Sequence, residues 1–251
     1  MKNSILIIPA AGSGSRLKSE IPKIFTPIDS NKTIFELIIK QAVDLVDTIQ
    51  LILSPDGVNY MKKESIQLPK NLNIVIQKEP TGMFDAIDIA LNKPQISNQI
   101  DKVIIQWGDQ PFIDQSLYTQ ILQDLNQFNS SIPLIWTRNP YVQFKFLSGN
   151  VSILESREGD TCDDYGFKDI GIFAFRYEKI HQVWDAYKNI DTSGNVTGEK
   201  SFLKLLMLFQ ETNSIHWRLD QPSYKGLGIN TPDELAESIS FMEQLNQLDI
   251  K

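Results

Sequence analysis

Cysteine is nearly missing from this sequence: Cys162 stands alone among 251 residues. No intrachain disulfide can form, and a cytoplasmic setting is the expectation. The neighbouring Asp160, Asp163 and Asp164 oppose a thiolate, which predicts an inert thiol rather than a nucleophile. Histidine is almost as scarce. His181 and His216 are the two present, neither is expected to stand in an acidic or metal-ligand pattern, and both are expected to be packing or surface residues. Long apolar runs are lacking as well, since stretches such as Ile5 to Ile8 fall far short of the roughly 20 residues that span a bilayer. No membrane partner is therefore expected. Lys2 and the run behind it are expected to form the first strand rather than a signal peptide, because Pro9 ends the run before a normal apolar core length. Net positive charge is absent too: 31 acidic against 24 basic side chains give −7, which argues against nucleic acid as a partner. Any phosphate ligand must then be held by a few local cations.

What is present is an ordinary globular composition, 41% hydrophobic and 22% charged, without repeats, low-complexity tracts or a linker-like break. Short Ile/Val/Leu runs near residues 5–8, 48–53, 73–76, 102–106, 132–137 and 170–175 alternate with helical patterns. That alternation predicts an α/β fold, a Rossmann-like mixed and mostly parallel sheet with helices on both faces, in one domain over residues 1–251. Ile34, Leu37, Ile38, Gln41 and Leu45 predict a helix over 33–46, opened by a Thr33–Glu36 capping box. Phe84 to Leu91, Leu117 to Leu125 and Phe202 to Phe209 read as further helices. The segment 144–156 reads as a β-hairpin folded through Ser148, Gly149 and Asn150 and covering one edge of a site. The polar stretch GDTCDDYG at 159–166 reads as a mobile loop.

The first run leads into AAGSGSRLKSEIPK, residues 10–23. A strand ending in a glycine-rich turn exposes backbone N–H groups that can surround anionic oxygens. The spacing fits no Walker loop. Gly12 and Gly14 match the start of a dinucleotide fingerprint, but Leu17 replaces its third small residue and no acidic ribose partner ends a second strand. A third kind of phosphate loop adds side chains, and here Arg16 and Lys23 stand ready. An opposed pair of unit charges ~4 Å apart gains ~4 kcal/mol at an effective dielectric of 20. Arg16 can fork two oxygens, Lys23 acts as a movable point charge, and Pro22 restricts its approach.

This segment resembles the signature of the sugar-phosphate nucleotidyltransferases, including the uridylyltransferase half of the bifunctional bacterial enzymes that make UDP-N-acetylglucosamine. Small residues, Gly-x-Gly-x-Arg, a spacer and Pro-Lys are all in register. The resemblance implies the nucleotide-diphospho-sugar transferase type of fold and the transfer of an NMP from an NTP to a sugar 1-phosphate, with Mg²⁺ as cofactor. It implies that Ala10, Ala11, Gly12, Ser13 and Gly14 bind the nucleotide, and that Arg16 and Lys23 are the catalytic cations.

Further matches extend the resemblance. VIIQWGDQPFID supplies Asp109 as a metal ligand at a strand's carboxyl end, and GLGINTPDEL supplies Asn230 as the second. Thr231 and Pro232 can also start a helix there, and both roles are compatible. QKEPTGMFDAIDIAL resembles the base-recognition loop through Gln77 and Gly82, with Met83 in place of a threonine. Asp85 then suits a helix N-terminus. Glu155, Asp169 and Glu199 fall on the family's sugar-contacting positions. Asp169 replaces an asparagine, so one donor is lost there. Trp107 is a candidate for the pocket wall. Two rival readings remain at this stage: a cytidylyltransferase for a sugar acid or alcohol phosphate, since WGDQPF is similar to the metal turn of such enzymes, and a non-catalytic nucleotide sensor on the same fold.

Overall fold

The computed structural model describes residues 3–12, 14–30, 32–92, 100–147, 149–190, 192–219 and 221–248. Ser13 and Ser148 thus lie outside the described residues. Four strands, β1 (Asn3–Pro9), β2 (Thr48–Leu53), β3 (Leu72–Ile76) and β4 (Ile100–Gln106), form a parallel array in the order β3-β2-β1-β4. The sheet continues through β9 (Ile172–Arg176), β5 (Ser130–Arg138), β8 (Tyr165–Asp169), β6 (Val142–Leu147) and β7 (Asn150–Glu155) in largely antiparallel pairing, and β10 (Ile215–Arg218) lies parallel to β5. The sheet is therefore mixed, and the half that carries the glycine loop is parallel throughout.

β1 is buried on both faces, with Ile5, Leu6, Ile7 and Ile8 at zero exposure, as a central parallel strand must be. Leu6 and Ile8 join one core layer with α1 (Ile34–Ala42), α2 (Pro55–Lys63), α4 (Gln115–Asp124) and α7 (Pro232–Leu248). Ile5 and Ile7 join the other with α3 (Met83–Leu91), α5 (Tyr177–Lys188) and α6 (Phe202–Thr212). After β1 the chain winds to β2 and β3 on one side, then crosses to β4 on the other. The reversal opens a crevice between the carboxyl ends of β1 and β4, where open α/β sheets bind ligands.

The Thr33–Glu36 capping box forms with both reciprocal bonds. Its helix stops at Ala42 rather than running to residue 46, because Asp47 turns back to β1: its N–H donates to Ser4 O and its Oδ2 accepts the Ser4 N–H at 2.7 Å. The hairpin β6–β7 pairs Val142 with Glu155 through Leu147 with Asn150. The stretch 159–166 is not a free loop. Asp163 Oδ2 accepts from Gln143 Nε2, its N–H donates to Gln143 Oε1 and Lys145 pairs with it, while Tyr165 and Gly166 already belong to β8. Cys162 is half-buried, and that burial, then Asp160 and Asp163, push its thiol upward, as expected of an inert cysteine. The histidines do have acidic neighbours: His181 lies 3.2 Å from Asp185, and His216 stacks on Phe128 near Asp124.

Candidate functional site

A cavity of about 550 Å³ opens at the crevice between β1 and β4. Its floor is the turn after β1. Ala10 extends the ladder by donating its N–H to Ile52 O, so it meets the cavity by its methyl group rather than its amide. Gly12 is exposed and Gly14 sits at φ 62, the left-handed region that glycine enters without strain. This turn delivers the chain into a single 3₁₀ turn, Ser15–Leu17, with Leu17 buried and Arg16 exposed. Pro22 begins a second such turn, Lys23–Phe25, in which Ile24 and Phe25 are sunk in the core. Lys23 is thereby fixed at its backbone and free only along its side chain.

β4 ends in the turn Trp107–Gln110. Trp107 N–H donates to Gly171 O, and Gln106 Nε2 donates to the Gln110 carbonyl, which holds the turn against its neighbours. A side chain on Gly108 would stand 2.9 Å from the Ala10 Cβ, so the turns after β1 and β4 touch. Ile229 N–H donates to the Asp109 carbonyl, drawing the segment before α7 to the same point. There Asn230 is both an anchor of α7, its N–H donating to Glu234 Oε2, and a residue of the cavity lining.

Three segments far apart in sequence now meet. Lys23 Nζ donates to Asp109 Oδ2 at 2.9 Å and to Asn230 Oδ1 at 2.8 Å, and Arg16 Nη2 reaches the same Asn230 oxygen at 3.1 Å. Lys23 and Asp109 remain partly open to solvent at 22% and 17% of their side-chain surface. One carboxylate oxygen and one amide oxygen thus converge on a single cation. Oxygen donors of this kind suit a magnesium-like ion, which commonly takes one or two protein ligands and completes its shell with phosphates and water. Among the described residues no cluster of three His, Cys, Asp or Glu side chains could hold a metal alone. The donor pair fits an ion that is shared with a bound phosphate.

On the opposite wall, Gln77 follows β3 and is buried. Its Nε2 donates to Thr81 Oγ1 and to the Gly82 carbonyl, both at 3.1 Å, so it closes the 77–82 loop while lining the cavity. Gly82 caps α3 at φ 104, and Met83 and Ala86 follow it along the wall. Trp107 lines the cavity too, with Phe173 and Phe202 against its ring. Asp85 falls in the first turn of α3, as expected.

Of the three carboxylates expected at the sugar end, only Glu199 lines the cavity. Glu155 is buried at the end of β7, where its Oε1 accepts the Ser201 hydroxyl. Asp169 is 4% exposed at the end of β8, where its Oδ1 accepts the Gly171 N–H. Both side chains are buried in the interior rather than lining the cavity, unlike the sugar-facing placement the resemblance implies. Arg157, not singled out by the sequence, does line the cavity and pairs with Glu199 at 3.2 Å. Next to it Glu158 accepts the Val196 N–H and the Thr197 hydroxyl, pinning the 192–200 segment that carries Glu199. No local motif marks Arg157, since its place depends on that distant segment.

Burial pushes the Asp169 carboxyl up to about 6, against the opposing pull of Lys168 and the Gly171 amide. Between pH ~4 and ~6 the folded chain then keeps a proton that the unfolded chain releases, so stability falls as pH rises through that window. The loss is on the order of 3 kcal/mol at most. Asp169→Asn is expected to melt higher than the parent at pH 7–8 and level with it near pH 4. Melting curves of both across that range that run parallel would refute the assignment.

Residues 6–161 match the MobA-like NTP transferase domain family. The chain is 22% identical over 247 residues to the bifunctional protein GlmU of Rhodopseudomonas palustris (strain TIE-1), covering 96% of this chain and 53% of that protein. It is 27% identical over 252 residues to the bifunctional protein GlmU of Buchnera aphidicola subsp. Acyrthosiphon pisum (strain APS), covering 97% and 52%. The chain thus spans about half the length of the curated relatives it matches. Its fold is shared by the crystal structure of 4-diphosphocytidyl-2C-methyl-D-erythritol synthase from Anaerococcus prevotii, with a TM-score of 0.69 at 16% identity over 96% of this chain and 99% of that one. No described helix is long and apolar enough to cross a membrane.

Proposed function

This chain belongs to the MobA-like NTP transferase family, and from that premise we propose a Mg²⁺-dependent sugar-phosphate nucleotidyltransferase acting as one domain in the cytoplasm. An oxygen of a sugar 1-phosphate attacks the α-phosphorus of an NTP, the bond to the β-phosphate oxygen breaks, and pyrophosphate leaves with the negative charge. NDP-sugar remains. The observation that carries this reading is the meeting of Arg16, Lys23, Asp109 and Asn230 beside the glycine turn.

No general base is needed, because a phosphate monoester with a second pKa of ~6 is already largely ionised at neutral pH. The work left to the chain is positioning and charge neutralisation. Amides of the glycine turn and the guanidinium of Arg16 hold triphosphate oxygens, and Lys23 follows the charge that develops on the transferred group. Asp109 and Asn230 would hold the divalent ion, which supplies Lewis-acid polarisation of the phosphoryl oxygens when bound. Gln77 and Gly82 face the base, and Glu199 the acceptor. Glu155 and Asp169 support that end from within the wall.

Pyrophosphate release, measured with each NTP, Mg²⁺ and a panel of sugar 1-phosphates, tests the reading. Turnover with one NTP and a sugar 1-phosphate is the expected result. Turnover only with CTP and a sugar acid or alcohol phosphate would select the cytidylyltransferase instead, and nucleotide binding without turnover of any pair would select a sensor.

A further inference from the structure

We propose that Lys23 is a tethered counter-cation: in the nucleotide-free protein its ammonium fills the place of the divalent ion, and it leaves when a triphosphate arrives. Its Nζ sits 2.9 Å from Asp109 Oδ2 and 2.8 Å from Asn230 Oδ1, the same two oxygens that the proposed metal would use. A divalent ion cannot take those oxygens while the ammonium stays between them, since like charges would then stand in contact.

The exchange needs only side-chain motion. Ile24 and Phe25, each 1% exposed, hold the backbone beside Lys23, whereas its four-carbon stem turns freely and its ammonium rebinds any nearby anion. Gly14 lies next to the stem, its added Cβ falling 3.5 Å from the Lys23 Cβ, so the glycine turn is within reach of the ammonium. Asn230 Oδ1 meanwhile receives two cationic donors, Lys23 and Arg16. A triphosphate in the glycine turn offers both cations stronger acceptors and frees that oxygen. Metal and nucleotide affinity are then linked, each ligand strengthening the other. The ordering keeps the metal site closed until there is a phosphate to share the ion.

The inference rests on the nucleotidyltransferase reading of this site, but its test involves no turnover. Mn²⁺ alone is titrated into the full chain without nucleotide, free Mn²⁺ being followed by electron paramagnetic resonance, for the parent, Lys23→Met and Lys23→Arg. Lys23→Met is expected to bind Mn²⁺ at least about tenfold more tightly than the parent, and the gain is expected to vanish when Asp109→Ala is added. Lys23→Arg, which keeps a cation, is expected to match the parent. Equal Mn²⁺ affinity in parent and Lys23→Met would overturn the proposal, as would tightening in Lys23→Arg, which would implicate packing rather than charge. Thermal melts confirm that each variant is folded. Absence of turnover in the substrate panel would instead count against the reaction and leave the Mn²⁺ result standing.

Discussion

Asp109→Ala is expected to lower pyrophosphate release about 10²–10³-fold, a loss of roughly 3–4 kcal/mol of transition-state stabilisation. Asp109 lines the cavity at the carboxyl end of β4, bonded to Lys23, and shares that cation with Asn230. Its contribution to folding is small by comparison. The ion pair is partly solvated, and such pairs contribute about 1 kcal/mol or less, which corresponds to a shift of roughly 2–4 °C in a chain of this size. Initial rates and melting temperatures of the same preparation separate the two effects. Asp109→Asn keeps an oxygen but loses the charge, so it is expected to fall between parent and alanine variant. An alanine variant with undiminished turnover would remove Asp109 from the chemistry.

Gly171→Ala is expected to cost about 2–4 kcal/mol of stability, or roughly 5–15 °C, because positive φ and crowding act together there. Gly171 sits at φ 75, and a Cβ there would lie 2.6 Å from both Gln110 Cγ and Trp107 Cδ1. Those atoms belong to the turn that presents Asp109, so turnover is expected to fall along with stability. Gly149→Ala isolates the backbone effect: it too has positive φ, at 88, but nothing lies within 4 Å of its added Cβ. That variant is expected to lose about 1 kcal/mol. Chemical denaturation of both variants decides the matter, and equal losses would mean that the crowding behind the turn is relaxed without cost.

The parts of the site that were legible in the sequence lie directly after strong strand signals. β1 and β4 announce themselves by apolar runs, and the glycine turn with Arg16 and Lys23, and the Gly-Asp turn with Asp109, follow them at once. Asn230 is legible for another reason, its segment's resemblance to the family's metal-returning one, and Thr231 and Pro232 mark the helix that starts beside it. Elsewhere the local signals mislead. Ser54, Pro55, Asp56 and Gly57 have the composition of a turn, yet Ser54 caps α2 by accepting the Gly57 N–H and Pro55 takes its first position. β8 is hidden by the acidic stretch before it, and β10 is four residues long and pairs with a strand more than 80 positions earlier. In α5 the spacing of Ile180, Val183, Trp184 and Tyr187 does carry the helical period, and these are its buried residues. The burial of Glu155 and Asp169, and the arrival of Arg157 at the cavity, rest on tertiary contacts, those with residues 194–201 among them, which no local pattern encodes.

Spatial order and order of synthesis disagree in the middle of the sheet. β9, made of Ile172–Arg176, lies between β4 and β5 and pairs with both. A nascent chain stopped at residue 161 therefore carries Lys23 and Asp109 but leaves two strands without the one that joins them, and Asn230 is still unmade. Translation must run past Asn230, almost to the last helix, before Lys23 can meet both of its oxygen partners, so a chain stopped anywhere short of that residue has only part of the cation site.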